Sequence, residues 1–154
     1  VTPLIFADTD PWTFESWLKW DGDPGGNYIA YAGKRSGAET IMLKYLGNNR
    51  FVLRARDNLY YYFTARSSDI IVDEWTHVVW IADGAGNLTI YLDGEFLETR
   101  ASTPTQMHFN HIGRGEAGNR WAYEGLIGKV LIYNRVLTPE EIENNYLATQ
   151  GRYD

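Results

Sequence analysis

Residues 123–146 read YEGLIGKVLIYNRVLTPEEIENNY, and this stretch decides the fold. Leu126, Ile127, Val130, Ile132 and Tyr133 make a strand too apolar to be solvated on both sides. The pattern then changes. Thr138-Pro139-Glu140-Glu141 starts a helix: Thr138 can cap it, Pro139 occupies the first helical position where a missing N–H costs nothing, and Glu141 completes a capping box. Ile142, Tyr146 and Leu147 fall on one helical face. A long buried strand, a turn at Asn134-Arg135 and a capped closing helix predict a β-rich domain that ends in a single short helix.

Composition agrees. The chain has 154 residues, enough for one domain with a substantial core and too few for two comfortable ones. Aromatics make up 15% of it, with eleven Tyr and six Trp, and fifteen Gly punctuate them. That mixture favours strands over helices. Net charge is −6 and the pI about 5.0, which argues against a nucleic-acid binder and against electrostatic docking on anionic membranes. No apolar run reaches the roughly 18 residues needed to span a bilayer. The start, VTPLIFADTD, lacks the basic and apolar regions of a signal peptide. Because it begins at Val1, the expectation is a domain excised from a longer polypeptide. There are no cysteines, so disulfides, thiolate metal sites and a Cys nucleophile are excluded.

Outward from the closing stretch, the chain reads as short strands separated by turns. In 12–20, WTFESWLKW, Trp12, Phe14, Ser16 and Leu18 share one face and Thr13, Glu15, Trp17 and Lys19 the other; the first set is assigned to the core. Tyr28–Gly33, Thr40–Leu46, Phe51–Arg56, Leu59–Thr64, Trp75–Ile81 and His108–Gly113 are further strands. Leu88–Leu92 and Glu95–Thr99 flank Asp93-Gly94, a type I′ hairpin signature that pairs Tyr91 with Phe96 and Ile90 with Leu97. Strands at this spacing predict an all-β fold: a two-sheet antiparallel jelly-roll sandwich with a short C-terminal helix packed on its edge, one domain over residues 1–154.

Three phrases carry a family resemblance. WTFESWLK, EWTHVVWIADGAGNLTIYLDGE and IGRGEAGNRWAYEGLIGKVLIYNRVLTPEEI resemble the early Trp strand, the Trp–Val strand with its Tyr-x-Asp-Gly hairpin, and the closing strands and helix of laminin G-like domains. These belong, with the pentraxins, to the concanavalin A-like lectin/glucanase superfamily. The ending NNYLATQGRY resembles the tails of such domains in bacteriophage structural proteins. The resemblance implies glycan- or protein-binding modules, with a minority of glycosidases, in a phage or a bacterial extracellular protein. One departure is Gly128-Lys129, where family members often place an acidic pair.

Function is read from side-chain chemistry. Retaining glycosidases need two carboxyl groups about 5 Å apart. No alternating run of carboxylates supplies them here: Asp73-Glu74 are adjacent, Asp93, Glu95 and Glu98 flank a turn, and Glu140, Glu141 and Glu143 suit a helix start. No Gly-x-Ser-x-Gly elbow is present, and His108 and His111 fall on opposite faces of one strand. A sugar ring stacks on aromatics while its hydroxyls bind amides and guanidinium groups. Asn119, Arg120, Trp121 and Tyr123 make the best such cluster, with Trp20 and Tyr31 as second choices; the alternative for Trp121 is a ring covering the sandwich edge. Arg54 and Arg56 share a face and either bind an acidic sugar or solvate the sheet. Asp21 and Asp23 are candidate Ca2+ ligands on the resemblance to domains with a calcium rim loop, although Asp and Gly also simply make turns.

The reading is therefore a non-catalytic, lectin-like carbohydrate-binding module, extracellular or on a virion surface, whose partner is an oligosaccharide or polysaccharide. The alternative is a structural or adhesion domain that contacts protein neighbours in a larger assembly. A glycoside hydrolase is the minor alternative.

Overall fold

The computed structural model describes residues 4–21, 29–33, 40–44, 50–54, 60–64, 72–102, 106–113 and 123–153; within 29–33, 40–44, 50–54 and 60–64 it describes the backbone, and side chains only at Ala32 and Phe63. Twelve strands are β1 (Leu4–Phe6), β2 (Trp12–Trp20), β3 (Ile29–Gly33), β4 (Thr40–Lys44), β5 (Arg50–Arg54), β6 (Tyr60–Thr64), β7 (Trp75–Ala82), β8 (Asn87–Leu92), β9 (Glu95–Ala101), β10 (Met107–Phe109), β11 (His111–Ile112) and β12 (Gly125–Tyr133). Helix α1 (Pro139–Thr149) follows, extended by a 3₁₀ turn over Gln150–Arg152. All pairings are antiparallel. The first sheet has the order β12-β2-β7-β8-β9, the second β11-β3-β4-β5-β6, and β1 pairs with β10 alone. The all-β sandwich is as expected, with β1 a strand that the sequence did not suggest.

The core lies between the sheets. Trp12, Phe14, Leu18 and Trp20 of β2 meet Val78 and Trp80 of β7 and Leu88, Ile90 and Leu92 of β8. Ala32 and Phe63 come from the second sheet, and Phe6, Met107 and Phe109 from the β1–β10 pair. Phe109 stacks on Phe14 with centroids 5.2 Å apart and meets Trp12 edge-on at 5.4 Å. Phe63 meets Trp80 edge-on at 5.3 Å, tying the second sheet to the first.

Helix α1 packs on the outer face of the first sheet, not on the edge of the sandwich. The reason lies in β2. Its second set of residues, Thr13, Glu15 and Trp17, is as buried as the first, and a strand apolar on one face and occluded on the other needs a cover. Leu137 and Ile142 cover Val79, Ile81 and Tyr91 in a second hydrophobic cluster. Trp17 stacks on Tyr153 (4.5 Å) and Tyr146 (5.7 Å). Leu147, expected beside Ile142 and Tyr146, is exposed. The predicted cap is formed: Glu141 N–H donates to Thr138 Oγ1, and Thr138 N–H donates to the Glu141 carboxylate at 2.8 Å. Arg135 grips that carboxylate with two nitrogens, at 2.7 and 2.8 Å, and its hydrogen bond leads the causes that draw the Glu141 pKa down to about 2.

Two register details differ from expectation. Asp93 and Gly94 have φ of 49° and 81°, as a type I′ turn requires, and Tyr91 pairs with Phe96. Ile90, however, pairs with Glu98, because a bulge leaves Leu97 as an extra residue that packs on the rim of the core. The expected strand 108–113 breaks at Asn110: β10 pairs with β1, while β11 pairs with β3. His108 and His111 therefore belong to different sheets.

Candidate functional site

One rim of the sandwich brings together four of the residues singled out from the sequence that the structure describes, Trp20, Asp21, Tyr31 and Tyr123. There β2 ends at Trp20 opposite Gly125, the first residue of β12. Gly125 has φ +134°, and a Cβ at this position would collide with the Lys19 carbonyl, so glycine is what lets the two strands cross this closely. Asp21 N–H donates to Glu124 O at 3.3 Å, and Tyr123 N–H donates to Gly113 O at 2.9 Å. The second bond closes the mouth of segment 114–122. Segment 22–28 leaves from Asp21 on the same rim. On the second sheet Ile112 pairs with Ala32, which follows Tyr31. Trp20, Asp21, Tyr31, Tyr123 and both ends of segment 114–122 thus come together. Asn119, Arg120, Trp121 and Asp23 lie outside the described residues, as does Arg56.

The members of this group differ in accessibility. Trp20 is 2% exposed and belongs to the core. It continues the inward parity of Trp12, Phe14 and Leu18, which removes it as a stacking surface. Tyr123 is half-buried and packs against the core, forming a floor to the rim. Burial, and then the nearby Asp21 charge, push its phenol well above the ordinary tyrosine range. Asp21 is exposed, and Lys19 pairs with Asp73 across 3.5 Å close by. Among the described residues no three His, Cys, Asp or Glu side chains gather as a metal site requires.

A buried polar network lies on the far side of the first sheet, beneath α1, and sequence reasoning missed it. Glu15 Oε1 stands 3.1 Å from His77 Nε2, with both side chains almost fully buried. Its other oxygen accepts from Asn145 Nδ2 at 2.9 Å and from Tyr133 OH at 3.2 Å. Beside it, Trp17 Nε1 donates to Thr149 Oγ1 at 3.0 Å. Burial pushes the Glu15 carboxyl up; the His77 hydrogen bond and charge, then the Asn145 and Tyr133 hydrogen bonds, outweigh it and hold the pKa below the usual glutamate value. Glu15 is enclosed by helix and sheet, so it serves packing and does not face a ligand. The signal that could have found this network was the polar second face of β2 combined with the Trp17–His77 register.

A family model described as the concanavalin A-like lectin/glucanases superfamily matches residues 2–143. The chain belongs to this superfamily. Among curated proteins none matches it. Similar solved structures include domain 4 of AbnA, an extracellular arabinanase from Geobacillus stearothermophilus, in complex with arabinotriose: 17% identity, TM-score 0.63, covering 94% of this chain and 67% of that one. A Bacteroides ovatus protein provisionally named as carbohydrate-binding gives 14% identity, TM-score 0.67, and coverage of 94% and 44%. The botulinum neurotoxin serotype D binding domain gives 16%, TM-score 0.64, and 93% and 37%. The chain spans less than half of these last two. At such identities the likeness to solved structures is one of fold.

Proposed function

We propose that this domain is a non-catalytic carbohydrate-binding module of an extracellular protein, and that Asn119, Arg120 and Trp121 contact the sugar above Tyr123, with Tyr31 at the margin. The observation that carries this reading is that Asp21, Gly113, Tyr123 and Glu124 meet on one rim, tied by the Asp21–Glu124 and Tyr123–Gly113 backbone bonds. An indole beside an amide and a guanidinium group suits a pyranose, whose apolar face stacks while its hydroxyls bind. The arabinotriose complex of a similar domain supports a saccharide as the partner class. Among the described residues no helix is long and apolar enough to cross a membrane.

Trp121→Ala tests the site. Loss of a stacking ring should weaken glycan affinity about tenfold or more, with the melting temperature little changed. Unchanged affinity in a folded variant removes Trp121 from the site.

A further inference from the structure

The second sheet has an uneven distribution of charge. Its four longer strands read IAYAG, TIMLK, RFVLR and YYYFT. They carry Lys44, Arg50 and Arg54 and not one carboxylate, in a chain whose net charge is −6. Phe63 is fully buried in the core, which sets the parity of β6: Tyr60, Tyr62 and Thr64 occupy the opposite face. Residues directly paired across strands share a face. The observed register carries that face through Arg54, Val52 and Arg50 of β5, and on to Thr40, Met42 and Lys44 of β4. The core-side set is Phe51, Leu53, Ile41 and Leu43, wholly apolar, so the sequence and the register agree.

We propose that this outer face of the second sheet, where the positions of Lys44, Arg50 and Arg54 adjoin those of Tyr60 and Tyr62, binds an anionic polysaccharide. The inference rests on the carbohydrate-binding reading and adds to the rim a second contact face with its own ligand class. Lys44 and Arg50 are direct cross-strand partners. Like charges placed opposite one another destabilise a sheet, and an anion between them reverses the sign of that contribution. Arg50 and Arg54 are four residues apart on one strand, roughly 13 Å by the strand rise, so the cationic positions form a row and not a point. Such a row suits a polymer with repeated negative groups. Arg54 pairs with Tyr60 and Val52 with Tyr62, which puts aromatic positions next to the cationic ones, as a sugar ring bearing an acid group requires. Carboxylate and sulfate share this chemistry, and the test separates them.

The experiment is titration of the folded domain with polygalacturonate, dextran sulfate and neutral arabinan, at about 50 and about 500 mM salt. The Arg50→Gln/Arg54→Gln pair, the single Lys44→Gln variant and the charge-conserving Arg50→Lys/Arg54→Lys pair are measured alongside. The expected result is that at least one anionic polymer binds, that high salt and the Gln pair each weaken it about tenfold or more, and that the Lys pair retains most of it. Lys44→Gln should show a smaller loss, which keeps the test informative if the Gln pair fails to fold. Preference for polygalacturonate assigns carboxylate, and preference for dextran sulfate assigns sulfate. Anionic binding untouched by every variant overturns the assignment to this face. Binding to arabinan alone overturns the anionic inference while the carbohydrate reading stands. No binding to any polymer overturns both.

Discussion

At the scale of single residues, Glu15 concentrates more consequence than any other position described. Three donors from two strands and a helix converge on one buried carboxylate. Glu15→Ala should therefore cost about 3 kcal/mol in urea unfolding, because the fully buried His77 loses its acceptor without access to water, and the half-buried Tyr133 and Asn145 lose theirs. The depressed pKa adds a pH signature. A carboxyl with a lower pKa folded than unfolded contributes stability that is fully present above its unfolded value, near 4.5, and lost as pH falls through the folded one. Melting temperature should drop as pH falls below about 4.5, and Glu15→Gln should flatten that part of the profile. An identical profile in the variant would reject Glu15 as the titrating group. The polar second face of β2 hinted at this network in the sequence, but its partners were not legible, because Glu15 and His77 stand 62 residues apart and meet only through the β2–β7 register. Trp20, a second choice for sugar contact, is the next residue on the face of Trp12, Phe14 and Leu18 and lies in the core with them; extending the same alternation by one step would have placed it there.

Among the elements, α1 was the most fully legible, because its signals are local. Thr138, Pro139 and Glu141 act within four residues, and the capping box forms as read. Where the helix lies was not legible, since docking depends on which strand faces remain uncovered. The answer is a clasp. Tyr153, just past the helix, stacks on Trp17, and its hydroxyl oxygen accepts a hydrogen bond from Lys129 N–H at 2.8 Å. Lys129 sits in the irregular stretch between Ile127 and Val130, and Gly128 leaves the space the Tyr153 ring fills. The Gly128-Lys129 departure from the family pattern thus has a packing role in this chain. Thr138→Ala should lower stability by about 1 kcal/mol through loss of the cap. A thermal melt checks it; no change would mean that sheet contacts alone hold the first turn.

For the whole molecule, period-two alternation and turn signals are enough to imply an antiparallel sandwich, and the two five-stranded sheets follow that expectation. Strand order is a different matter. Placing β12 beside β2, at opposite ends of the chain, requires long-range pairing that no local pattern encodes. That pairing also creates the rim, by bringing Asp21 to Glu124. With α1 covering the outer face of the first sheet, the proposed recognition is assigned to the rim at Asp21–Glu124 and to the second sheet. Whether this domain recognises carbohydrate is tested most directly by a broad glycan array run with the purified domain, once with calcium and once with chelator. Selective binding to a related set of glycans is expected, with calcium dependence only if Asp21 and Asp23 hold an ion. A blank array under both conditions would contradict the carbohydrate-binding reading.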